Sequence, residues 1–129
     1  MAISENTALI AIIIFLSFFL LDMRRNLMGK LETDFQGNLI KEIETTFDGS
    51  IVTKLDANYI EGIPDLLILH KNRWATLECK KSKSEVSKKR RNKDQQDYYV
   101  AEMNNMSFSR YIYPENKEEV LNELKVHFQ

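Results

Sequence analysis

GIPDLLILHKNRWATLECKK, residues 62–81, decides how the rest of the chain is read. Two apolar runs, 65–69 and 74–80, flank HKNR, which is the pattern of a β-hairpin. Strand side chains alternate, so Trp74, Thr76, Glu78 and Lys80 share one face of the second run, and Ala75, Leu77 and Cys79 share the other. Asp65 opens the first strand, preceded by Gly62 and Pro64 at the loop exit. Three ionisable groups, Asp65, Glu78 and Lys80, are thereby predicted to meet at one end of a sheet that is otherwise rich in Leu and Ile.

Working outward, residues 31–47 read as an amphipathic helix with Leu31, Phe35, Leu39, Ile40, Ile43 and Phe47 on one face, stopped by FDGS. Glu32, Gln36 and Glu42 fall within that apolar face and need partners there. IVTKLD, 51–56, is a β-branched strand. The basic, Ser-rich segment 81–93 lacks apolar periodicity and reads as a loop. Asp94 is the predicted N-cap of a helix with Gln96, Tyr99, Val100, Met103 and Met106 at helical spacing, and the Met and Tyr positions of 98–106 read as core. FSRYIY, 108–113, is a further strand ended by Pro114. Asn116 with Glu119 suggests a capping-box start to a last helix carrying Val120, Leu121, Leu124 and Phe128. His70 and His127 read as incidental, His127 as a surface residue or a favourable cation at the helix end. The order α-β-β-β-α-β-α describes an α/β fold, a mixed sheet flanked by helices.

With 129 residues, 43% of them hydrophobic and 29% charged, the chain is sized for one domain with a single core. Its one cysteine, Cys79, excludes an internal disulfide framework and a Cys/His zinc cluster, and points to a reducing, cytoplasmic setting. The net charge is only -1, yet Lys80, Lys81, Lys83, Lys88, Lys89, Arg90, Arg91 and Lys93 crowd one stretch whose sole acid is Glu85. That is a local cationic field.

Residues 1–27 stand apart. Residues 6–21 carry no charge, but this run is shorter than the roughly 20 residues a membrane helix needs. Glu5 in place of a basic n-region and the lack of an A-x-A-like site argue against a secretory signal. Two readings stand side by side. In one, the segment is a short anchor, with Arg24, Arg25 and Lys30 keeping the following domain in the cytoplasm. In the other, Arg24-Arg25 reflects a purine-rich ribosome-binding sequence, and translation starts at Met28. Both leave the chemistry to a domain spanning 28–129.

Two neighbouring carboxylates repel each other and favour a divalent cation that neutralises both. Hard oxygen donors suit Mg²⁺, and a nearby lysine can position water and offset charge on a phosphorane. This is the logic of metal-assisted phosphodiester hydrolysis, with the basic run available to neutralise backbone phosphates. Pro64-Asp65, twelve residues, then Glu78-Cys79-Lys80 resembles the PD-(D/E)xK nuclease motif. The wider frame of GIPDLLIL, WATLECKKS and a Gln-bearing helix resembles the VRR-NUC branch, in particular its small stand-alone phage-type members, over about residues 31–127.

The resemblance implies a restriction-endonuclease-like fold and a DNA endonuclease, structure-selective on branched, junction or flap DNA. Asp65, Glu78 and the Cys79 carbonyl would hold Mg²⁺, with Mn²⁺ as a substitute, and Lys80 would be the catalytic lysine. Glu32 would complete the site, with Glu42 as fallback. Gln96 would be the helix glutamine, ahead of Gln95. Lys81, Lys83, Lys88, Lys89, Arg90, Arg91 and Lys93 would track DNA, although the insertion 81–93 is longer and more basic than the family pattern. A homodimer suits symmetric cutting of two strands.

Plainer readings exist for each residue. Asp65 can be a turn residue and Glu78 with Lys80 a cross-strand ion pair on an exposed face. Glu32 can be a first-turn acid on the helix dipole, Gln96 an ordinary helix residue, Trp74 a packing residue, and Lys54 a cation near the site. Two further functions compete with the nuclease: a non-cleaving nucleic-acid-binding protein on the same fold, and a membrane-tethered interaction protein built around residues 6–21.

Overall fold

The computed structural model describes residues 4–129. They form helix α1 (Glu5–Thr46), strands β1 (Ile51–Lys54), β2 (Leu66–His70) and β3 (Arg73–Cys79), helices α2 (Lys83–Ser87) and α3 (Lys93–Met106), strand β4 (Ser109–Ile112) and helix α4 (Lys117–His127). The chain divides into two units, Met1–Leu31 and Glu32–Gln129.

In the first unit, the apolar side chains from Leu9 to Leu21 are exposed. This is the stretch of α1 that makes it long and apolar enough to cross a membrane. At ~1.5 Å per residue the uncharged run covers about 24 Å, against about 30 Å of bilayer hydrocarbon. The helix expected to begin near residue 31 is thus the continuation of a longer one. Nothing in 22–31 breaks it, because the stretch contains one glycine and no proline. Leu31, expected on the core face, is 51% exposed.

The second unit is a mixed α/β domain around a four-stranded sheet in the order β1-β2-β3-β4. β1–β2 and β2–β3 are antiparallel, and β3–β4 are parallel. Lys71 and Asn72 close the hairpin, with His70 facing Arg73. Alternation places Leu66, Ile68, Ala75, Leu77 and Cys79 on one sheet face. They are fully buried there, in one cluster with Leu39 and Ile43 of α1, Val120, Leu121 and Leu124 of α4, and Phe128 just after it. The other face carries Thr76 and Glu78, and α3 lies against it: the Thr76 hydroxyl donates to Met103 Sδ at 3.5 Å and to Ser109 Oγ at 2.8 Å. A strand buried on both faces explains why β3 reads as nearly continuous burial from Ala75 onward.

Several local expectations are corrected. Segment 81–93 is not all loop, since α2 lies within it. The N-cap position of α3 is Asn92, not Asp94, because the turn before it is closed by the Lys93 N–H to the Arg90 carbonyl. Tyr98 and Met106 are exposed, at 58% and 71%, since α3 covers the sheet with one narrow face. Asn116 does not cap α4 forward; its side chain turns back to accept from the Tyr113 N–H at 2.8 Å and donate to the Tyr111 carbonyl at 3.0 Å. His127 is half-buried against Phe108 and Phe128, with Nε2 3.0 Å from the Trp74 carbonyl.

Candidate active site

Leu66 faces Leu77 across the hairpin, so one step further along the ladder Asp65 lies opposite Glu78. On the other side of β3, Glu78 faces Tyr111 of β4. A row of Asp65 just before β2, Glu78 of β3 and Tyr111 of β4 therefore runs across the face that α3 covers. Asp65 is anchored by its own carboxylate, whose Oδ2 accepts the Cys79 N–H at 2.8 Å, while its carbonyl accepts the Leu55 N–H at 2.9 Å. Lys80 sits just past the end of β3, where its N–H donates to the Ile112 carbonyl at 2.9 Å.

Lys80 Nζ lies 3.1 Å from Glu78 Oε1, with the two side chains 10% and 2% exposed. This is not the solvated strand face of the plain reading; the pair is buried. Glu78 Oε2 is buried and has no hydrogen-bond partner among the described residues. An unpaired carboxylate oxygen in that position is costly and marks a place where a further group is needed.

Electrostatics follow the same geometry. Burial, followed by the Asp65 charge, pushes the Glu78 carboxyl from 4.5 to about 7 against the pull of Lys80. Burial raises Asp65 as well, opposed by the Cys79 hydrogen bond, by Lys80 and by Lys54. Glu32 is raised by burial and senses Lys80 and Asp65. The Cys79 thiol is pushed up by burial, then by Asp65 and Glu78.

Of the two first-helix acids, Glu32 is the one in the field of the site. Glu42 is engaged elsewhere, 3.0 Å from Lys117 Nζ. Gln96 is 8% exposed, and its Oε1 accepts from Arg90 Nε at 2.7 Å, whereas Gln95 is exposed. Gly62 sets the entry of α3. Its φ is +87, and a Cβ there would stand 2.4 Å from Gln95 Cβ and 2.9 Å from the Gln96 nitrogen.

The basic run divides. Lys83, Lys89 and Arg91 are exposed. Lys88 is exposed but 3.7 Å from Glu85, and Lys81 is 3.5 Å from the same carboxylate. Lys93 pairs with Asp97. Arg90 is turned inward and held by the fold.

Asp97 and Tyr111 did not stand out in the sequence, because their partners lie on other elements. Tyr111 Oη donates to Asp97 Oδ1 and accepts from Arg90 Nη2 at 3.2 Å. The pairing of Tyr111 with Glu78 becomes visible only once β4 is known to lie parallel beside β3.

Among the described residues, no three Asp, Glu, His or Cys side chains are gathered closely enough to hold an ion by themselves. A Mg²⁺ site of one or two carboxylates, completed by water and substrate phosphate, needs no such trio. The donors present fit that case: two adjacent carboxylates, one with an unpartnered oxygen. No family model, curated protein or solved structure matches the chain.

Proposed function

We propose that the domain is a metal-dependent DNA endonuclease of the PD-(D/E)xK, VRR-NUC-like kind, on a restriction-endonuclease-like fold, that hydrolyses phosphodiester bonds of branched or junction DNA. The observation that carries the reading is the buried Glu78 carboxylate, paired with Lys80 on one oxygen and unpartnered on the other, next to Asp65. A cluster in which two raised carboxyls share one lysine is short of positive charge, and a hard divalent ion supplies it.

Mg²⁺ or Mn²⁺ held by Asp65, Glu78 and the Cys79 carbonyl, with Glu32 alongside, would supply Lewis-acid charge neutralisation at the scissile phosphate. Asp65 is fixed by its bond to the Cys79 N–H and so presents its remaining oxygen in one direction. Lys80, tied at 3.1 Å to Glu78 Oε1, holds an ammonium where it can orient a water and stabilise negative charge building on phosphate oxygens. Gln96, whose oxygen is taken by Arg90, offers its amide N–H groups as donors. Lys83, Lys88, Lys89 and Arg91 neutralise backbone phosphates without reading bases.

The test is cleavage of duplex, single-stranded and four-way-junction DNA with Mg²⁺ or EDTA. Wild type is compared with Asp65→Asn, which keeps an acceptor for the Cys79 N–H, and with Lys80→Ala. Metal-dependent cutting lost in both variants supports the proposal. Metal-independent cutting, or equal activity in all three, refutes it, and tight binding without cutting favours a non-cleaving nucleic-acid-binding protein.

The uninterrupted exposed apolar surface from Leu9 to Leu21 favours a second reading in which the domain works tethered to a membrane through α1. Fractionation of the native protein decides it: recovery in the soluble fraction without detergent removes the tether.

A further inference from the structure

Arg90 belongs by sequence to the cationic run, but its guanidinium makes no use of solvent-facing phosphate geometry. Nη1 donates to the carbonyls of Glu85 (2.8 Å), Val86 (3.2 Å) and Lys88 (3.1 Å), which close the C-terminal end of α2. Nε donates to Gln96 Oε1 at 2.7 Å. Nη2 donates to Tyr111 Oη at 3.2 Å, and the guanidinium lies 5.9 Å from the Tyr111 ring centroid. All three nitrogens are spent inside the fold, on three elements at once.

Each contact has a physical purpose. A five-residue helix is far below the length at which helices hold by themselves. Its terminal carbonyls lack intrahelical donors, and a cation there satisfies them. At its start Ser82 makes no capping hydrogen bond and the Lys83 N–H donates to Glu115 Oε2 at 3.1 Å, while at its other end the carbonyls go to Arg90. At Gln96 the effect is orientation. Arginine can only donate, so the amide must turn its oxygen to Arg90 and its NH₂ away. At Tyr111 the hydroxyl accepts from Arg90 and donates to Asp97, whose other oxygen is held by Lys93. Tyr111 is in turn the β4 neighbour of Glu78.

We propose that Arg90 is a positioning residue, the clamp that folds the basic insertion and the Gln96 amide onto the sheet face carrying Glu78, with Tyr111 and Asp97 as its fixed end. Only its consequence for cleavage rests on the nuclease reading; the clamp is a property of the domain. Lysine cannot replace it, because a single ammonium cannot reach Gln96, Tyr111 and the α2 carbonyls together.

The test measures backbone hydrogen exchange of residues 83–96 and cleavage kinetics on the full chain, for wild type, Arg90→Met, Arg90→Lys, Tyr111→Phe and the pair Lys89→Ala/Arg91→Ala. Arg90→Met and Arg90→Lys should both speed exchange of these amides by about tenfold or more through local opening. They should lower kcat by ~10 to 100-fold, with KM nearly unchanged, as expected for a displaced site group. Tyr111→Phe, which removes one of the five hydrogen bonds, should move the same readouts less, and serves if Arg90→Met fails to fold. The Lys89/Arg91 pair should raise KM in a salt-dependent way and leave exchange alone.

Unchanged exchange in Arg90→Met and Tyr111→Phe, or wild-type behaviour of Arg90→Lys, overturns the proposal. So does a purely salt-dependent KM effect in Arg90→Met, which would make Arg90 a phosphate contact. If the wild type cleaves no substrate, the nuclease reading falls and the exchange measurement still decides the clamp.

Discussion

Gly62→Ala is expected to damage both stability and the site, for reasons that Gly49→Ala separates. Both glycines have positive φ, +81 at Gly49 and +87 at Gly62, so alanine at either position costs roughly 1–2 kcal/mol of backbone strain. The loss of unfolded-chain freedom offsets about 0.4–1 kcal/mol of that. At Gly49 nothing lies within 4 Å of the added Cβ, so the net cost stays near ~1 kcal/mol. At Gly62 the Cβ would meet Gln95 Cβ at 2.4 Å, the Gln95 carbonyl carbon at 2.7 Å and the Gln96 nitrogen at 2.9 Å. Two of these atoms are backbone of the first turn of α3 and cannot rotate aside, so overpacking adds about 1–3 kcal/mol.

The assay is urea unfolding of the full chain followed by the fluorescence of Trp74, the only tryptophan. The m-values are compared to confirm that both variants unfold from the same compact state. Gly62→Ala should lose about 1–3 kcal/mol more than Gly49→Ala. Under the nuclease proposal it should also lose cleavage through displacement of Gln96, while Gly49→Ala stays active. Equal destabilisation by the two substitutions would refute the close approach of loop and helix on which the placement of Gln96 depends.

Three further outcomes follow from the same geometry. In EDTA, Glu78 with its carboxyl raised from 4.5 to about 7 favours the protonated form in the fold. Its contribution is therefore present below about pH 4.5 and lost as pH rises through about 7, by up to about 3 kcal/mol. Asp65 and Glu32, raised by burial, act in the same sense. Glu78→Gln should flatten the stability profile between pH 5 and 8, and an unaltered profile in chemical denaturation would contradict the assignment. Cys79, 0% exposed with its thiol pushed up, should resist iodoacetamide at pH 8 until the chain unfolds, which mass spectrometry reads directly. Lys83→Ala and Lys89→Ala should each lower the salt slope of DNA binding by about one without altering the preferred DNA structure; a change in preference would show that they do more than meet phosphates.

Much of the domain is legible in the sequence. The element order and the hairpin follow from short-range patterns that adjacent residues carry: period-2 alternation in 65–69 and 74–80, period-3.6 spacing of Leu39 and Ile43, and turn chemistry at FDGS and Pro114. The meeting of Asp65 with Glu78 was legible for the same reason, since a hairpin with a short turn fixes its own register. Val120, Leu121, Leu124 and Phe128 are buried as their spacing implies. Where local patterns misled, the competing cause was an interaction from elsewhere. α2 forms in a stretch without apolar periodicity, its first N–H taken by Glu115 and its last carbonyls by Arg90. Tyr98 and Met106 are exposed because the sheet accepts only one face of α3.

What the sequence determined alone is the set of strands, the helices other than α2, and the carboxylate–carboxylate–lysine grouping on one hairpin, because these depend on neighbours a few residues apart. Tertiary structure decided the rest. It placed Glu32 in the field of Lys80 and Asp65 and paired Glu42 with Lys117, buried Glu78 and Lys80 while leaving Oε2 bare, and brought Tyr111 beside Glu78 across a parallel crossover of some thirty residues. It also split a uniform run of cations into exposed Lys83, Lys89 and Arg91 and an internal Arg90. Charge alone does not distinguish these residues. Which one is desolvated depends on where carbonyls and hydroxyls of distant segments come to rest, and only the folded chain specifies that.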